Sequence, residues 1–519
     1  MDWIASVLVR GGECAVEASP TFLCGLIVAG VMRCMLGEDG VSKLFGGNGW
    51  RGLLRAWGVG MLLPVCSLGV IPIAREMRRC GISGATILAF VLAAPHVNPL
   101  SLLYGLTLST PVVILIFASA SLALAIFSGV LWDFCFRQPN DDLPGDIIQT
   151  PPPGLGRLAS VFLSAARESV HYSLLYILLA ILFNGLMAGS LPHGSLSLTM
   201  RHDDWRSPAL MGLLATPMYS GPLQGMMRLG LMFEHGNSVG AAFVLFELGI
   251  GVNIGILIWL AIDRGLKRMA LWLGIVVLTA VILGYASEAP LYFAHEEASH
   301  THAFDDWTSP FAHGMNPDIG QIFSRIGSKC GVLESVSLLM LMSLITLGSI
   351  CTLFDSQRRL DTFLARMPST TGKLSGAMAV NVPPRVLGFV ALGGLFAFSV
   401  VGLYLYYPNS YEAFEDMTRI KADAMGAVRY GNREEAIRQL EAMDLLTRKL
   451  QVGIFLRQWR LDPAVAKAAE DLRERLEEIR DNLIAENKEA AVTGIILAEQ
   501  AFRSLRAACA DSLDSKAGS

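Results

Sequence analysis

Charged side chains are scarce in this chain: only 17% of its 519 residues are Asp, Glu, Lys or Arg, against 53% hydrophobic. With a mean hydropathy of +0.48, that scarcity excludes a wholly soluble protein and leaves an integral membrane protein with a soluble appendage. A basic excess is missing too. The formal net charge of −4 argues against nucleic acid as a partner. The nine cysteines follow no paired spacing, so neither a disulfide framework nor a zinc knuckle is readable. There is no Cys-x-x-Cys-His, hence no covalent haem, and no cofactor is expected. No paired nucleophile and base is readable at membrane depth, so the chain does not read as an enzyme. Asp2, Glu13 and Glu17 break any basic-then-apolar leader pattern at the N-terminus.

What is present is said twice. Leu63 to Pro72 reads LPVCSLGVIP, and Ala215 to Met226 reads ATPMYSGPLQGM. Each follows an apolar run and leads, across a polar tip, into an apolar stretch ending in Val-Asn: Val97-Asn98 and Val252-Asn253. Pro64 matches Pro217, Ser67 matches Ser220, and Gly84-Ala85 matches Gly240-Ala241. Paired Gly/Pro-interrupted apolar segments mark a secondary transporter with its site near the midplane. Such irregular backbone survives in lipid only where it lines a cavity.

Apolar runs long enough to span a bilayer fall near Ser19–Leu36, Ala85–Leu106, Pro111–Phe134, Tyr172–Leu191, Val239–Ile262, Met269–Ala286, Val332–Phe354 and Val386–Tyr407. Two broken segments, Gly52–Arg79 and Pro208–Glu234, are additional. Tyr404, Tyr406 and Tyr407 read as an interfacial aromatic belt on the last span. Arg264, Lys267 and Arg268 place one loop in the cytoplasm, and Arg358, Arg359, Arg366, Lys373 and Arg385 place another. The tips of the broken segments carry opposite bias, Arg75, Arg78 and Arg79 against Glu234 and His235. That opposition implies upside-down repeats, whether the segments re-enter or span.

The domain plan is a first permease repeat over 14–135, a cytoplasmic linker 136–170 and a second repeat 171–287. An external His- and acid-rich loop 288–330, two further transmembrane helices 331–407 and an extracytoplasmic helical domain 408–519 follow. In that last domain Leu472, Leu476, Ile479 and Leu483 share one helical face. Gly431-Asn432, Asp462-Pro463 and Asn487 punctuate it into four helices. A bundle is the simplest packing, and a dimerising coiled-coil hairpin is the alternative.

The stretch Leu63–Pro72, followed by Gly81, Ala89-Phe90, Ala93-Ala94-Pro95 and Asn98-Pro99, resembles the ArsP/YraQ-like predicted permeases. Their hallmark is Pro-Cys-Ser-Cys-Gly-x-Ile-Pro with a later Phe-Leu-x-Ala-x-Pro-x-x-Asn-Pro. The resemblance covers roughly the first 290 residues and both repeats. Some members export trivalent methylated arsenicals, so the resemblance implies an efflux permease for a small solute. This chain keeps Cys66 but has Leu68 where the second Cys would stand, which removes a dithiolate grip at that motif.

Several residues carry candidate chemistry. Cys66 and Ser67 at one break, and Tyr219 and Ser220 at the other, are candidate substrate-binding groups. A thiolate would favour a soft metal or metalloid; the bland alternative is a small residue packed in a turn. Asn98 and Asn253 either touch substrate or hold the backbone of the neighbouring break. Glu247, alone among apolar neighbours, is the candidate coupling group, because an ionisable residue at that depth is costly and functional by default. Pairing with Arg228 for structure alone is the competing reading. His295, His300 and His302, with Asp305 and Asp306, are candidate metal ligands, against a plain solvated loop. His96 reads as lodged in a helix break.

The sequence therefore describes an all-α polytopic permease of the plasma membrane, with inverted repeats, two broken or re-entrant hairpins and a C-terminal helical bundle. Its partners would be a small solute and membrane lipid, and no nucleic acid. A homo-oligomer or an extracytoplasmic protein would engage 408–519. The alternative is a membrane-embedded sensor or scaffold whose outer domain binds a partner.

Overall fold

Lipid offers no hydrogen bonds, so the membrane part of a chain must satisfy its backbone internally. The structure, a computed structural model, answers with helices. It describes residues 2–46, 49–96, 101, 111–136, 155–192, 195–196, 200–234, 236–292, 303–311, 317–355, 359–366 and 386–517, with gaps between 387 and 405. The chain divides into two units, one spanning Met1–Gly105 and Pro111–Ala397, the other formed mainly by Phe398–Ser519.

The first half of the membrane unit contains α1 (Asp2–Val31), which continues through a π turn into α2 (Gly37–Phe45). It is followed by α3 (Trp50–Leu62), α4 (Val70–Arg79), α5 (Gly84–His96) and α6 (Pro111–Phe136). The second half contains α7 (Leu155–Ser169), α8 (Tyr172–Ser190), α9 (Ser207–Ala215), α10 (Pro222–Glu234) and α11 (Val239–Val244) with its π segment Leu245–Ile250. It closes with α12 (Ile254–Arg264) and α13 (Leu266–Leu291). The packing repeats with the order: α5 lies on α3, α4 and α6 as α11 lies on α9, α10 and α13. After the repeats come α14 (Ile319–Ser328), α15 (Val332–Phe354) and α16 (Arg359–Arg366). Among the described residues, five helices are long and apolar enough to cross a membrane, or six with a bent pair. Exposed side chains such as Leu278 and Ile282 on α13 and Leu339 and Met342 on α15 suit a lipid-facing surface.

Both broken segments double back on themselves. Leu53, near the start of α3, and Ala85, at the start of α5, both lie against Gly129 of α6, while Gly60 lies against Ala94 of α5. The chain therefore runs inward along α3, breaks at 63–69 and returns along α4 to the level of Ala85. The second segment behaves alike. Trp205, before α9, accepts a hydrogen bond from Tyr285, and Gly236, after α10, accepts one from Tyr292 (2.7 and 3.2 Å). The two tips stand at opposite ends of α13. Arg78 pairs with Asp263, just before its start. Gly240 N–H donates to Glu288 near its end (2.5 Å). At 26 residues that helix is about 39 Å long, enough to separate two membrane faces.

Four expectations change. The first span begins at Asp2 and not at Ser19, because charges that look disruptive find partners: Arg10 with Glu13 (2.7 Å) and Glu17 with Lys329 (3.8 Å). The run Val239–Ile262 is no straight span; it bends by 55° between Ile250 and Ile254, where Gly251 and Asn253 let the helix stop. Residues 155–169, assigned to a linker, form α7, packed on α1 and α15. The tyrosines do not form a belt. Tyr407 is fully buried, Tyr404 donates to Leu456 O (2.9 Å) and Lys449 lies over the Tyr406 ring. Most of the span Val386–Tyr407 lies outside the described residues.

The second unit holds α17 (Ser410–Tyr430), α18 (Arg433–Gln458), α19 (Pro463–Ile484) and α20 (Lys488–Ala517). Each packs on the next, and α17 packs on α20, closing a four-helix bundle. Its turns sit at the expected residues: Gly431 adopts φ 78°, where a side chain would be strained. Asn432 and Asp462 cap α18 and α19 through their side chains. Leu472, Leu476, Ile479 and Leu483 are buried in its core. Asp444 ties α18 to α19 through Arg473 (3.0 Å). Burial pushes its carboxyl up, but Arg448 and Arg473 outweigh that and hold it down at about 2.

Candidate functional site

The two breaks meet in the interior of the first unit. Proline and glycine supply unpaired backbone groups, and the second break settles them against the bend beyond α11. Ser220 N–H donates to the Gly249 carbonyl (3.0 Å), and Ile254 N–H donates to the Pro217 carbonyl (3.3 Å). Tyr219 N–H donates to Asn184 Oδ1 of α8 (3.1 Å). On the other side, α1 crosses the first break with Gly25 against Gly69. Cys66 and Tyr219, one from each break, share a buried cluster with Cys14 of α1.

Of the sequence-derived site residues, Cys66, Ser67, Tyr219, Ser220, Asn253 and Glu247 are all buried. Ser67 Oγ and Asn253 Nδ2 have no hydrogen-bond partner among the described residues, and Tyr219 Oη meets only the weak Cys66 thiol of the other break. Buried polar groups normally find a partner, so each is a contact available to a bound solute. Asn253 Oδ1 accepts from Ile256 N–H (3.1 Å) and caps α12; it holds its own helix and not the neighbouring hairpin. Asn98, His235, His295, His300 and His302 lie outside the described residues. Among those described, no cluster of three His, Cys, Asp or Glu residues could hold a metal ion.

Glu247 lies within the π segment after α11, an irregularity frequent at functional sites. Neither of its carboxyl oxygens has a hydrogen-bond partner among the described residues. Arg228 is elsewhere, donating to Ser220 Oγ (2.6 Å). His96 takes the neighbouring place: its Nε2 is 2.8 Å from the Glu247 carbonyl oxygen and 3.7 Å from Oε2. Ser121 Oγ stands 3.2 Å from His96 Nδ1. A neutral imidazole donating from Nε2 and accepting from Ser121 satisfies both ring nitrogens. Glu247 and His96 thus form a buried acid–imidazole pair joining the two repeats.

The loop read as solvated is partly an inner wall. Ala303, Phe304, Trp307 and Thr308 are buried, and Asp305–Trp307 form a short helical turn. With Arg10, Glu13, Cys14, Glu17, Asn184, Tyr219, Gln224 and Arg228, Asp306 lines a cavity of about 10 Å³, at the lower limit for one water. Burial pushes the Asp306 carboxyl up, but Lys329, Arg10 and Arg228 outweigh it and hold the group below the ordinary carboxylate range.

Sequence reasoning passed over Asn184 and Cys14, and read His96 only as lodged in a helix break. A lone amide inside Tyr172–Leu191 was a usable signal, because intramembrane amides need partners. Cys14 and His96 gave none, since their meaning depends on what stands opposite. One further spacing is inert: Gly236, Ser238 and Gly240 have the Gly-x-Ser-x-Gly interval. That interval makes a nucleophile elbow between a strand and a helix. Here the turn joins two helices, and Ser238 caps α11 and donates to Glu288 (2.6 Å).

A family of predicted permeases, ArsP_1, matches residues 8–289, more than half of the chain. The UPF0718 protein YcgR of Bacillus subtilis (strain 168) is 28% identical over 127 residues, 24% of this chain and 42% of that protein. A Streptococcus mutans serotype c protein, named a two-component membrane permease complex subunit, is 31% identical over 87 residues, 17% of this chain and 29% of its own length. The chain thus spans less than half the length of these curated relatives. No solved structure matches.

Proposed function

This chain belongs to the ArsP_1 family of predicted permeases, and from that premise we propose that it moves a small solute across the plasma membrane by alternating access. The observation that supports this reading is the meeting of two broken, doubled-back segments in one buried cluster, with polar atoms left unpartnered there among the described residues. Binding occurs between Cys66 and Ser67 on one side and Tyr219 and Ser220 on the other, with Asn253 adjacent. Glu247, beside His96, carries the coupling proton or cation. Cys14 supplies the second thiol that Leu68 removed from the motif. Two soft ligands in one cluster favour a soft metal, a metalloid or a trivalent organoarsenical. The direct test is flux of a trivalent methylated arsenical in proteoliposomes. Cys66→Ser should reduce that flux to the level of empty vesicles, and flux unchanged by the substitution would make the thiol mere packing.

The inverted arrangement sets the sidedness. Basic residues at Arg78, Arg79, Arg264, Lys267 and Arg268 favour the cytoplasm for that end of α13. By the alternation of spans, the bundle 408–519 is extracytoplasmic, where it meets a protein partner or a second copy. A single cysteine at Arg79 should be protected from an impermeant thiol reagent added outside, and one at His235 should be labelled. Equal labelling of the two would remove the inverted topology. A sensor or scaffold remains the second reading, supported by a bundle with a core of its own; absence of flux for every solute tried would favour it.

A further inference from the structure

The segment after α13 reaches into the site and is fastened there. Arg10 of α1 donates from Nε to the Thr308 carbonyl (2.7 Å) and from Nη2 to the Asp305 carbonyl (2.5 Å). Ser309 N–H donates to the Leu191 carbonyl (2.8 Å), and the Ser6 and Ser309 hydroxyls are 2.9 Å apart. Trp307 packs over Arg228, its ring centroid 4.7 Å from the guanidinium. Between these ties the Asp306 carboxylate meets three cations: Lys329 at 3.4 Å, Arg10 at 3.7 Å and Arg228 at 4.0 Å.

The three cations do not depend on Asp306 equally. Without it, Arg10 keeps Glu13 (2.7 Å) and Lys329 keeps Glu17 (3.8 Å). Arg228 keeps neither: among the described residues Asp306 is its sole carboxylate within 4.0 Å. Its Nε is buried and unpartnered among the described residues, and the Tyr219 hydroxyl of the same cavity meets only the weak Cys66 thiol. Withdrawing the segment would leave the buried guanidinium with Ser220 and the more distant Glu17, which Lys329 already pairs, an under-compensated charge that another anion in the same place would relieve. The setting suits one. The inner helices α4 and α10 both begin at the breaks, so their positive ends face the same region.

We propose that Arg228, with Ser220 and Tyr219, is a receptor for a compact carboxylate or oxyanion group on the transported solute, and that Asp306 occupies it as a tethered stand-in until the Phe304–Thr308 segment withdraws. The inference rests on the permease reading and deepens it: the solute carries an anionic oxygen group for Arg228 beside whatever the thiols hold. A planar guanidinium fits two such oxygens side by side. A tethered carboxylate competes at an effective concentration of millimolar order or above, so the resting protein takes free anions weakly.

Two measurements on the full-length protein test this. In nanodiscs, sodium acetate titrated at constant ionic strength against chloride should raise the thermal midpoint of Asp306→Asn with an apparent affinity at least about tenfold above wild type. The pair Asp306→Asn with Arg228→Gln should lose that response. No gain in Asp306→Asn, or a gain that survives loss of Arg228, overturns the receptor. The second measurement does not rely on that variant folding. Cysteines at Ser6 and Ser309, oxidised after reconstitution, should stop arsenical flux, and reduction should restore it. Undiminished flux in the oxidised protein overturns the withdrawing segment. Failure of the permease reading looks different: flux is then absent from wild type, while the acetate response, which needs no transport, stands or falls by itself.

Discussion

Glu247→Gln should insert and accumulate like wild type yet lose pH-driven solute uptake, down to the level of empty liposomes. The side chain is fully buried in the π segment after α11, and its carboxyl oxygens have no hydrogen-bond partner among the described residues. Gln keeps the shape and a hydrogen-bonding head but has no proton to exchange, and a neutral side chain lowers the cost of placing this segment in lipid. Solute exchange without a gradient should persist, because the breaks and their polar atoms remain. The measurement compares uptake by the two proteins under an imposed pH gradient. Equal, gradient-dependent uptake would assign Glu247 a structural role and move coupling elsewhere.

Gly25→Leu should abolish the folded protein. α1 crosses the first break so closely that a Cβ on Gly25 would overlap the Gly69 carbonyl and lie 2.7 Å from Gly69 Cα. A Cβ on Gly69 would in turn lie 2.7 Å from the Thr21 carbonyl. Membrane helices approach this closely only where side chains are absent. Overpacking by Gly25→Ala should cost about 1–3 kcal/mol, and Leu, which no shift of a single rotamer accommodates, more. Gly274 of α13 is the contrast, with nothing within 4 Å of its would-be Cβ; Gly274→Ala should be neutral or slightly stabilising, since Ala favours a helix by about 1 kcal/mol over Gly. Size-exclusion profiles in mild detergent read all three. A monodisperse Gly25→Leu peak at wild-type yield would contradict the close crossing.

Much of the architecture was legible because it is written locally. Hydropathy over some twenty positions marks a span, and Tyr172–Ser190 and Val332–Phe354 stand almost where the apolar runs put them. Gly and Pro mark breaks by their own backbone limits, which is why both breaks, and the turns at Gly431 and Asp462, could be read directly. The errors share one cause. Glu17 looked disruptive near the start of a helix because its partner, Lys329, was far along the chain, and Arg10 meets Asp306 across the same distance. The bend after Ile250 was missed because Gly251 and Asn253 resemble ordinary helix residues until the second break supplies the Pro217 carbonyl that Ile254 N–H needs.

The sequence by itself determined the class, a helical membrane permease with a repeated broken core and an attached four-helix bundle, because apolar length, helix breakers and helical periodicity act within a few residues. The tertiary structure decided that each broken segment doubles back, that Cys66 meets Tyr219 and Cys14, that His96 stands at Glu247, and that Asp306 and not Glu247 faces Arg228. Such pairings leave no local mark: His96 and Glu247 are 151 positions apart. Chain closure costs little more over long loops than short ones, so separation gives no clue to contact. The choice of partner is made by burial, where a charge or amide without a counterpart is costly, and that selection operates only once the helices have packed.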